Sequence, residues 1–513
     1  MQNTQLKMTV AVIATIALAL IVTVSVFTTH GNVLGLTYLY LCIGSLLMGM
    51  LKPKSALYGI IICSGFIDLF KRFMVSFGNP NQLDVAYIQS LPLALLVGAI
   101  ITTLVKLIIF RDPMLKNLIT PLWFSFVFAL IGVVSAMMAE GGGLRGIQHS
   151  ANFATYPFLL VILPVWFRNV DELRNMLYFI LITFVPVALY MFRHHFFGLA
   201  DFEYQYLMTG LSQEARILWE NAGALRGFST MNGAGTVSTI LSTFLLLCFA
   251  TMPNATKNED FMSKLFRLIW LPVFILASYF TVSRGGWFCG LVAVSTYYLF
   301  ANRSTTILSY LLGAFMFFTL VATAPYIKDH KLLEKLEISL RSVIKADNEY
   351  SDRALTLGTA ADRLSGLANL TTMEGLWTPL GWKAQGEAVK LRNMKLAAQK
   401  GDFSIGHDII IDTILNYGFV GLSVAVALTC FILYKVHHFL LSLPRRSIEE
   451  NIVRLCVSLA LGISFGALGN AAQMRVFPLS FYIWLFFAIS FTIFIWNKSN
   501  VIALNNKTSQ SGN

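Results

Sequence analysis

The chain has 513 residues, of which 56% are hydrophobic and only 12% are charged, and its mean hydropathy is +0.67. This composition excludes an ordinary soluble domain and indicates a protein that crosses a membrane many times. The formal net charge of +12 comes from Lys and Arg scattered through short loops beside apolar segments. That pattern is typical of topology signals, so we expect no nucleic-acid partner.

Apolar runs of about twenty residues recur along the chain, and each is long enough to cross the hydrocarbon layer as a helix. We therefore predict an all-α, polytopic transmembrane bundle of about 12 to 14 spans with a large, partly helical periplasmic loop. The predicted spans are 8–28, 32–51, 55–70, 91–110, 118–139, 151–167, 176–192, 231–251, 268–283, 286–301, 305–326, 419–436, 453–472 and 477–496.

The order of polar and apolar segments predicts four parts. The segment 1–326 holds about eleven spans and includes an outward loop at 193–230. The segment 327–418 forms the large periplasmic loop, 419–496 the last spans, and 497–513 a cytoplasmic tail. The large loop contains amphipathic helices with basic faces, which suit anionic lipid headgroups or simply cap the bundle.

Basic loops predict that the N-terminus is cytoplasmic. One pair of loops conflicts with this orientation. If Lys52 and Lys54 are inside, then Lys71 and Arg72 fall outside. The third span is therefore predicted to be re-entrant, or the number of spans before it is wrong.

The stretch from Gly406 to Gly421 marks the point where the large loop returns to the membrane. Asp408 can cap a helix that starts at Ile409, and Gly418 can end it in a left-handed conformation. His407 then lies at a helix N-terminus, which lowers a histidine's pKa, whereas the carboxylate of Asp408 raises it. The protonation state of His407 stays open.

Two arginines at the outward ends of spans are candidate phosphate ligands. Arg226 opens an apolar span, where burying an arginine costs about 2.5–3.5 kcal/mol unless it gains a partner. Arg284 lies in the tight turn Ser283-Arg284-Gly285-Gly286, although an arginine there also serves as an interfacial anchor. The guanidinium fork matches a phosphate. Second-tier candidates are Arg353, Arg145 and Arg475.

No metal-ligand spacing is present in the sequence, and no cofactor is expected.

The order of these motifs resembles the O-antigen ligase and polymerase superfamily of bacterial membrane glycosyltransferases. The likeness covers roughly residues 220–435 and rests on Arg226-Gly227, Ser283-Arg284-Gly285, Arg353 with Pro379-Leu380-Gly381, and His407 to Gly421. It implies a metal-independent enzyme that takes a glycan from undecaprenyl pyrophosphate, with arginines at Arg226 and Arg284 on the pyrophosphate and a catalytic histidine at His407. Asp408 departs from the family pattern, where Asn or Ser often follows the histidine.

The resemblance thus implies inverting transfer of a glycan to an acceptor hydroxyl on the periplasmic side of the bacterial inner membrane, in lipopolysaccharide or exopolysaccharide synthesis. The expected partners are the lipid-linked donor, a lipid or glycan acceptor, membrane lipids and, for a polymerase, a chain-length regulator. Ligase and polymerase remain open, as does the role of His407 as a general base or as a group that orients phosphate. The rival function is a flippase or transporter of lipid-linked glycans, which needs no catalytic histidine.

Overall fold

The computed structural model describes residues 33–138, 151, 154–209, 227–250, 261–281, 284–301, 409–444, 447–466 and 477–510. Every regular element in these ranges is helical, as predicted. The helices are α1 (Val33–Leu51), α2 (Pro53–Phe73), α3 (Gln82–Gln89), α4 (Leu91–Leu104), α5 (Leu115–Met138), α6 (Leu159–Trp166), α7 (Val170–Phe197), α8 (Asp201–Met208), α9 (Ala234–Ala250), α10 (Phe261–Phe280), α11 (Arg284–Ala301), α12 (Ile409–Ser442), α13 (Ile448–Gly466) and α14 (Leu479–Gln510).

The predicted spans correspond to these helices, except that 8–28 and 305–326 lie outside the described residues. Within the described ranges, 6 helical segments are long and apolar enough to cross a membrane. They are Leu34–Leu51, Leu91–Ile109, Leu115–Val134, Val170–Phe197, Val420–Ser442 and Leu479–Lys498. The chain is therefore a multi-pass bundle of membrane-type helices.

The central helix of the bundle is α14. In its apolar part, Leu479–Lys498, 89% of the residues are buried, because a helix that is apolar on all sides is stable only when other helices surround it. Tyr482 on this helix packs against Phe184 and Phe244, and its hydroxyl shares a 2.6 Å hydrogen bond with Ser64 Oγ. The core thus joins α2, α7, α9 and α14.

The direction of each helix follows from its contacts. Lys54 pairs with Glu172 near the starts of α2 and α7, and Arg72 and Arg193 meet at Glu203 near their ends, so these two helices are parallel. Arg72 also reaches the backbone that leads into α9. We call this end of the bundle, where α2 and α7 finish and α9 begins, the Arg72 end.

Three more helices begin or finish at the Arg72 end. Phe477, just before α14, packs against the end of α2. The start of α12 lies at the same end, since α12 runs parallel to α14, with ring pairs Phe431–Phe491 and Phe439–Phe494. The end of α10 is there too, because its last residue, Phe280, stacks on the ring of His195.

The third predicted span is not re-entrant. It is α2, a continuous helix of 21 residues, about 31 Å long at 1.5 Å per residue, and it runs from one end of the bundle to the other. Lys71 and Arg72 do not lie in a loop. Both are buried in its last turn, with 3% of each exposed. The sequence suggested that they are loop charges. Each is instead paired with a buried carboxylate, Lys71 with Asp68 and Arg72 with Glu203.

Candidate functional site

A buried carboxylate, Glu203 on α8, is the centre of an ionic cluster at the Arg72 end. The side chain of Glu203 is fully buried, and Arg72 Nη1 pairs with its Oε1. Arg193 Nη1 lies 3.1 Å from Oε2, and His194 Nε2 lies 2.9 Å from the same oxygen. The backbone N–H of Ala200 also donates to Oε2 at 3.0 Å. Both carboxylate oxygens therefore already accept hydrogen bonds, so Glu203 serves to position the side chains around it.

The group that the cluster holds is the turn from Phe228 to Met231. Arg72 Nη2 donates to the carbonyl oxygens of Ser229 and Met231, both at 2.8 Å, and its guanidinium lies 4.6 Å from the centre of the Phe228 ring. Thr230 Oγ1 donates to the carbonyl of Gly65 on α2. The turn that leads into α9 is thus fastened to α2 by a buried arginine.

His194 fastens the same turn to α7. Its Nδ1 accepts the backbone N–H of Ser229 at 3.2 Å, so the proton of a neutral ring is on Nε2, which donates to Glu203. Ser229 has φ of 51°, a left-handed conformation that costs a residue with a side chain about 1–2 kcal/mol. Hydrogen bonds to His194 and to the carbonyl of Val187 offset this cost.

The charge of Glu203 is strongly favoured by its partners. Burial by itself raises the pKa of the Glu203 carboxyl, but the hydrogen bond from His194 and the positive charge of Arg72 lower the pKa to about 2. Glu203 is thus ionised at neutral pH and is a poor candidate for a general acid or base. Its place in the site is structural.

A second ion pair on α2 completes the arrangement. Lys71 Nζ lies 2.7 Å from Asp68 Oδ1 and 3.4 Å from Asn232 Oδ1. Sequence analysis did not single out this pair or Glu203. An available signal was Asp68 inside a predicted span with basic residues three and four positions later, since an ionisable residue at membrane depth usually has a partner.

The start of α11 is fixed by close packing on α9. A β-carbon on Gly286 would overlap Ser238, and one on Gly290 would lie 2.8 Å from the carbonyl oxygen of Ser242. The two contacts advance together along both helices, so α9 and α11 are parallel. Two glycines four residues apart are a common solution for close helix packing in membranes. Gly286 was predicted to belong to a turn, but it lies in the first turn of α11.

The start of α12 has the interruption that the sequence predicts. Gly418 has φ of 66° and ψ of −172° inside the range Ile409–Ser442, a region that is essentially restricted to glycine. A helical segment from Ile409 therefore precedes the long apolar part of α12. Asp408 and His407, directly before it, lie outside the described residues.

Among the predicted site residues, the structure describes the backbone of Arg284, which is the first residue of α11 at the Arg72 end. Arg226, His407, Arg145, Arg353 and Arg475 lie outside the described residues, and so does the large loop up to residue 408. The chain neighbours Gly227 and Ile409 are described. Gly227 leads into the anchored turn, and Ile409 begins α12, so both belong to the Arg72 end.

The predicted outward loop at 193–230 needs one correction. Helix α7 continues to Phe197, so Arg193 lies within this helix, just before its last turn, and α8 occupies Asp201–Met208. In the parts of the chain that the structure describes, no group of three or more His, Cys, Asp or Glu side chains could hold a metal ion. Comparison of the chain with protein-family models, curated proteins and solved structures finds no match.

Proposed function

We propose that the chain is a membrane glycosyltransferase that moves a glycan from polyprenyl pyrophosphate to an acceptor hydroxyl on the periplasmic side. The observation that carries this proposal is the shared position of three helix starts. The turn after Arg226 leads into α9, Arg284 begins α11, and α12 begins two residues after His407. All three starts belong to the Arg72 end, which supports the proposal of a single site there.

The proposed chemistry needs few groups. A sugar on pyrophosphate already has a good leaving group, so catalysis requires neutralisation of its growing negative charge and removal of a proton from the acceptor. Arg226 and Arg284 would bind the pyrophosphate, and His407 would take the proton or orient the phosphate. Direct attack on the anomeric carbon inverts its configuration and requires no metal.

The buried cluster supports this proposal in a specific way. An arginine that binds a polyanion must keep its position although nearby cations repel it and water solvates its guanidinium group. The turn that follows Arg226 is fastened by Arg72 and His194 to two long helices. A rigid base next to a binding residue reduces the entropy lost on binding. Second-tier phosphate contacts would be Arg353, Arg145 and Arg475.

The decisive experiment measures glycan transfer by purified protein with a defined polyprenyl-pyrophosphate donor. His407→Ala should lower the rate by about 10²–10⁴-fold if His407 is a general base. His438→Ala is the matched control, because His438 is an exposed histidine near the far end of α12. Normal transfer by His407→Ala would remove this residue from the mechanism.

Donor binding separates the arginines from the histidine. Arg226→Ala and Arg284→Ala should each weaken donor binding by about tenfold or more, the effect of a lost hydrogen bond to a charged group. Arg168→Ala, an exposed arginine just before α7, should bind as the wild type does. Unchanged affinity in both test variants would refute the pyrophosphate assignment.

Two acceptor classes and one rival function are separated by the same assay. Transfer to a lipid-anchored core identifies a ligase, and transfer to a second lipid-linked repeat identifies a polymerase, which a chain-length regulator would then accompany. Wild-type protein that moves the lipid-linked glycan across vesicles but transfers it to no acceptor would favour the flippase or transporter.

A further inference from the structure

A groove on the surface of the Arg72 end is lined by residues that the proposed transfer reaction does not use. It has a volume of about 410 Å³ and lies between the last turns of α2 and α7 and the start of α8. Phe70 is 61% exposed and Phe73 is 42% exposed. The lining residues are Leu69, Phe70, Phe73, Tyr190, Arg193, Ala200 and Phe202. Apolar and aromatic side chains therefore form most of its wall, with one cation among them.

The cation, Arg193, is held in place by one of its three nitrogens. Nη1 lies 3.1 Å from Glu203 Oε2, 3.5 Å from the Tyr190 hydroxyl and 3.4 Å from the carbonyl of Gly198. The side chain is 34% exposed. Nε and Nη2 have no hydrogen-bond partner among the described residues, which leaves two parallel N–H groups for a ligand. Two such donors match two oxygens of one phosphate.

The charges around Arg193 leave a positive excess next to the groove. Glu203 carries one negative charge, which it shares between Arg72 and Arg193, while His194 is neutral in the tautomer given above. Asp68 is already paired with Lys71. The exposed Asp201 is next to lining residues but is not one of them. A group with a negative charge is therefore complementary to the cationic side of the groove.

The groove also lies near one end of an apolar helix. Val170–Phe197 is long and apolar enough to span a membrane, and Arg193 lies just before its last turn. Arginines at such positions extend toward the headgroup region, whereas Phe70 and Phe73 offer an apolar surface to a lipid chain. The shape and the charge together fit an amphiphile with an anionic head.

We infer that this groove binds an anionic glycerophospholipid of the surrounding membrane. The phosphate accepts hydrogen bonds from Nε and Nη2 of Arg193, and an acyl chain lies along Leu69, Phe70 and Phe73. The inference does not depend on the proposed transfer reaction, because the side chains that carry it, Leu69, Phe70, Phe73 and Arg193, have no part in that reaction.

The test uses the full chain purified in detergent and titrated with phosphatidylglycerol or phosphatidylcholine, with bound lipid counted by native mass spectrometry. Wild-type protein should bind phosphatidylglycerol about tenfold more tightly than phosphatidylcholine. Arg193→Gln should remove this preference by weakening phosphatidylglycerol binding more than phosphatidylcholine binding, because both lipids carry a phosphate but only phosphatidylglycerol has a net negative charge. Arg168→Gln, which removes an exposed charge at the other end of α7, should keep the preference.

A second variant avoids the ionic cluster, in case Arg193→Gln disturbs the fold. Leu69→Trp fills the apolar part of the groove and should weaken phosphatidylglycerol binding by about tenfold or more without loss of Arg193. Equal binding of the two lipids by the wild type would overturn the inference. So would an unchanged preference in Arg193→Gln together with unchanged phosphatidylglycerol affinity in Leu69→Trp. Full displacement of phosphatidylglycerol by a polyprenyl phosphate would also overturn it and would assign the groove to the glycan donor.

Discussion

Removal of the Arg72 side chain tests whether the buried cluster stabilises the fold. In Arg72→Met, Glu203 keeps Arg193 and His194 but loses the more deeply buried of its two arginine partners, and the carbonyls of Ser229 and Met231 lose a donor at 2.8 Å. Loss of one member of a buried ion pair costs about 3–5 kcal/mol, since the remaining charge stays buried. We expect the free energy of unfolding to fall by about that amount.

The measurement is unfolding by sodium dodecyl sulfate in mixed micelles, followed by tryptophan fluorescence. The control is Lys54→Met, which breaks the pair with Glu172 at the other end of α2. That pair has side chains 38% and 26% exposed, so its loss should cost under about 1 kcal/mol. A second check is the double variant with Glu203→Gln, which should cost less than the sum of the single changes.

Two results would refute this reasoning. If Arg72→Met is no more harmful than Lys54→Met, the cluster contributes no more than an exposed pair. If the Arg72→Met and Glu203→Gln effects add without coupling, the two side chains do not act on each other, and the fastening of the turn before α9 has another cause.

Three further predictions concern other parts of the structure. Gly286→Ala should destabilise the protein by about 1–3 kcal/mol through overpacking. Gly285→Ala is the control, because a β-carbon there meets open space, and it should be neutral or slightly stabilising. Equal effects of the two changes on the free energy of unfolding would contradict the close packing of α9 and α11. The lowered pKa of Glu203 predicts about 3 kcal/mol of stability, which is complete above pH 4.5 and is lost as the pH falls toward 2. In acid unfolding, Glu203→Gln should therefore reduce the dependence of the unfolding free energy on pH. An unchanged dependence would be inconsistent with the lowered pKa. Gly418→Ala should cost about 1–3 kcal/mol because the backbone there is restricted to glycine, measured in the same micelles, and a neutral effect would show that the break in α12 is not needed.

The apolar runs were sufficient to predict the helical class and the positions of the described spans. A membrane leaves a chain few ways to satisfy its backbone, so the length and composition of a local segment decide that it is a helix. The break at Gly418 was predicted for a similar reason, because it depends on the conformational freedom of one residue. Arg284 was also correctly placed at the boundary between two helices.

The ionic cluster depended on the tertiary structure. Arg72 and Glu203 are 131 residues apart, and Arg72 and Ser229 are 157 apart, so no local pattern joins them. Read alone, Lys71 and Arg72 resemble ordinary loop charges. The sequence by itself determined that the chain forms apolar helices and approximately where they lie along the chain. Only the packing of α2, α7 and α8 decided that these charges are buried and paired, because the energy of a buried charge depends on which distant partner the fold brings to it.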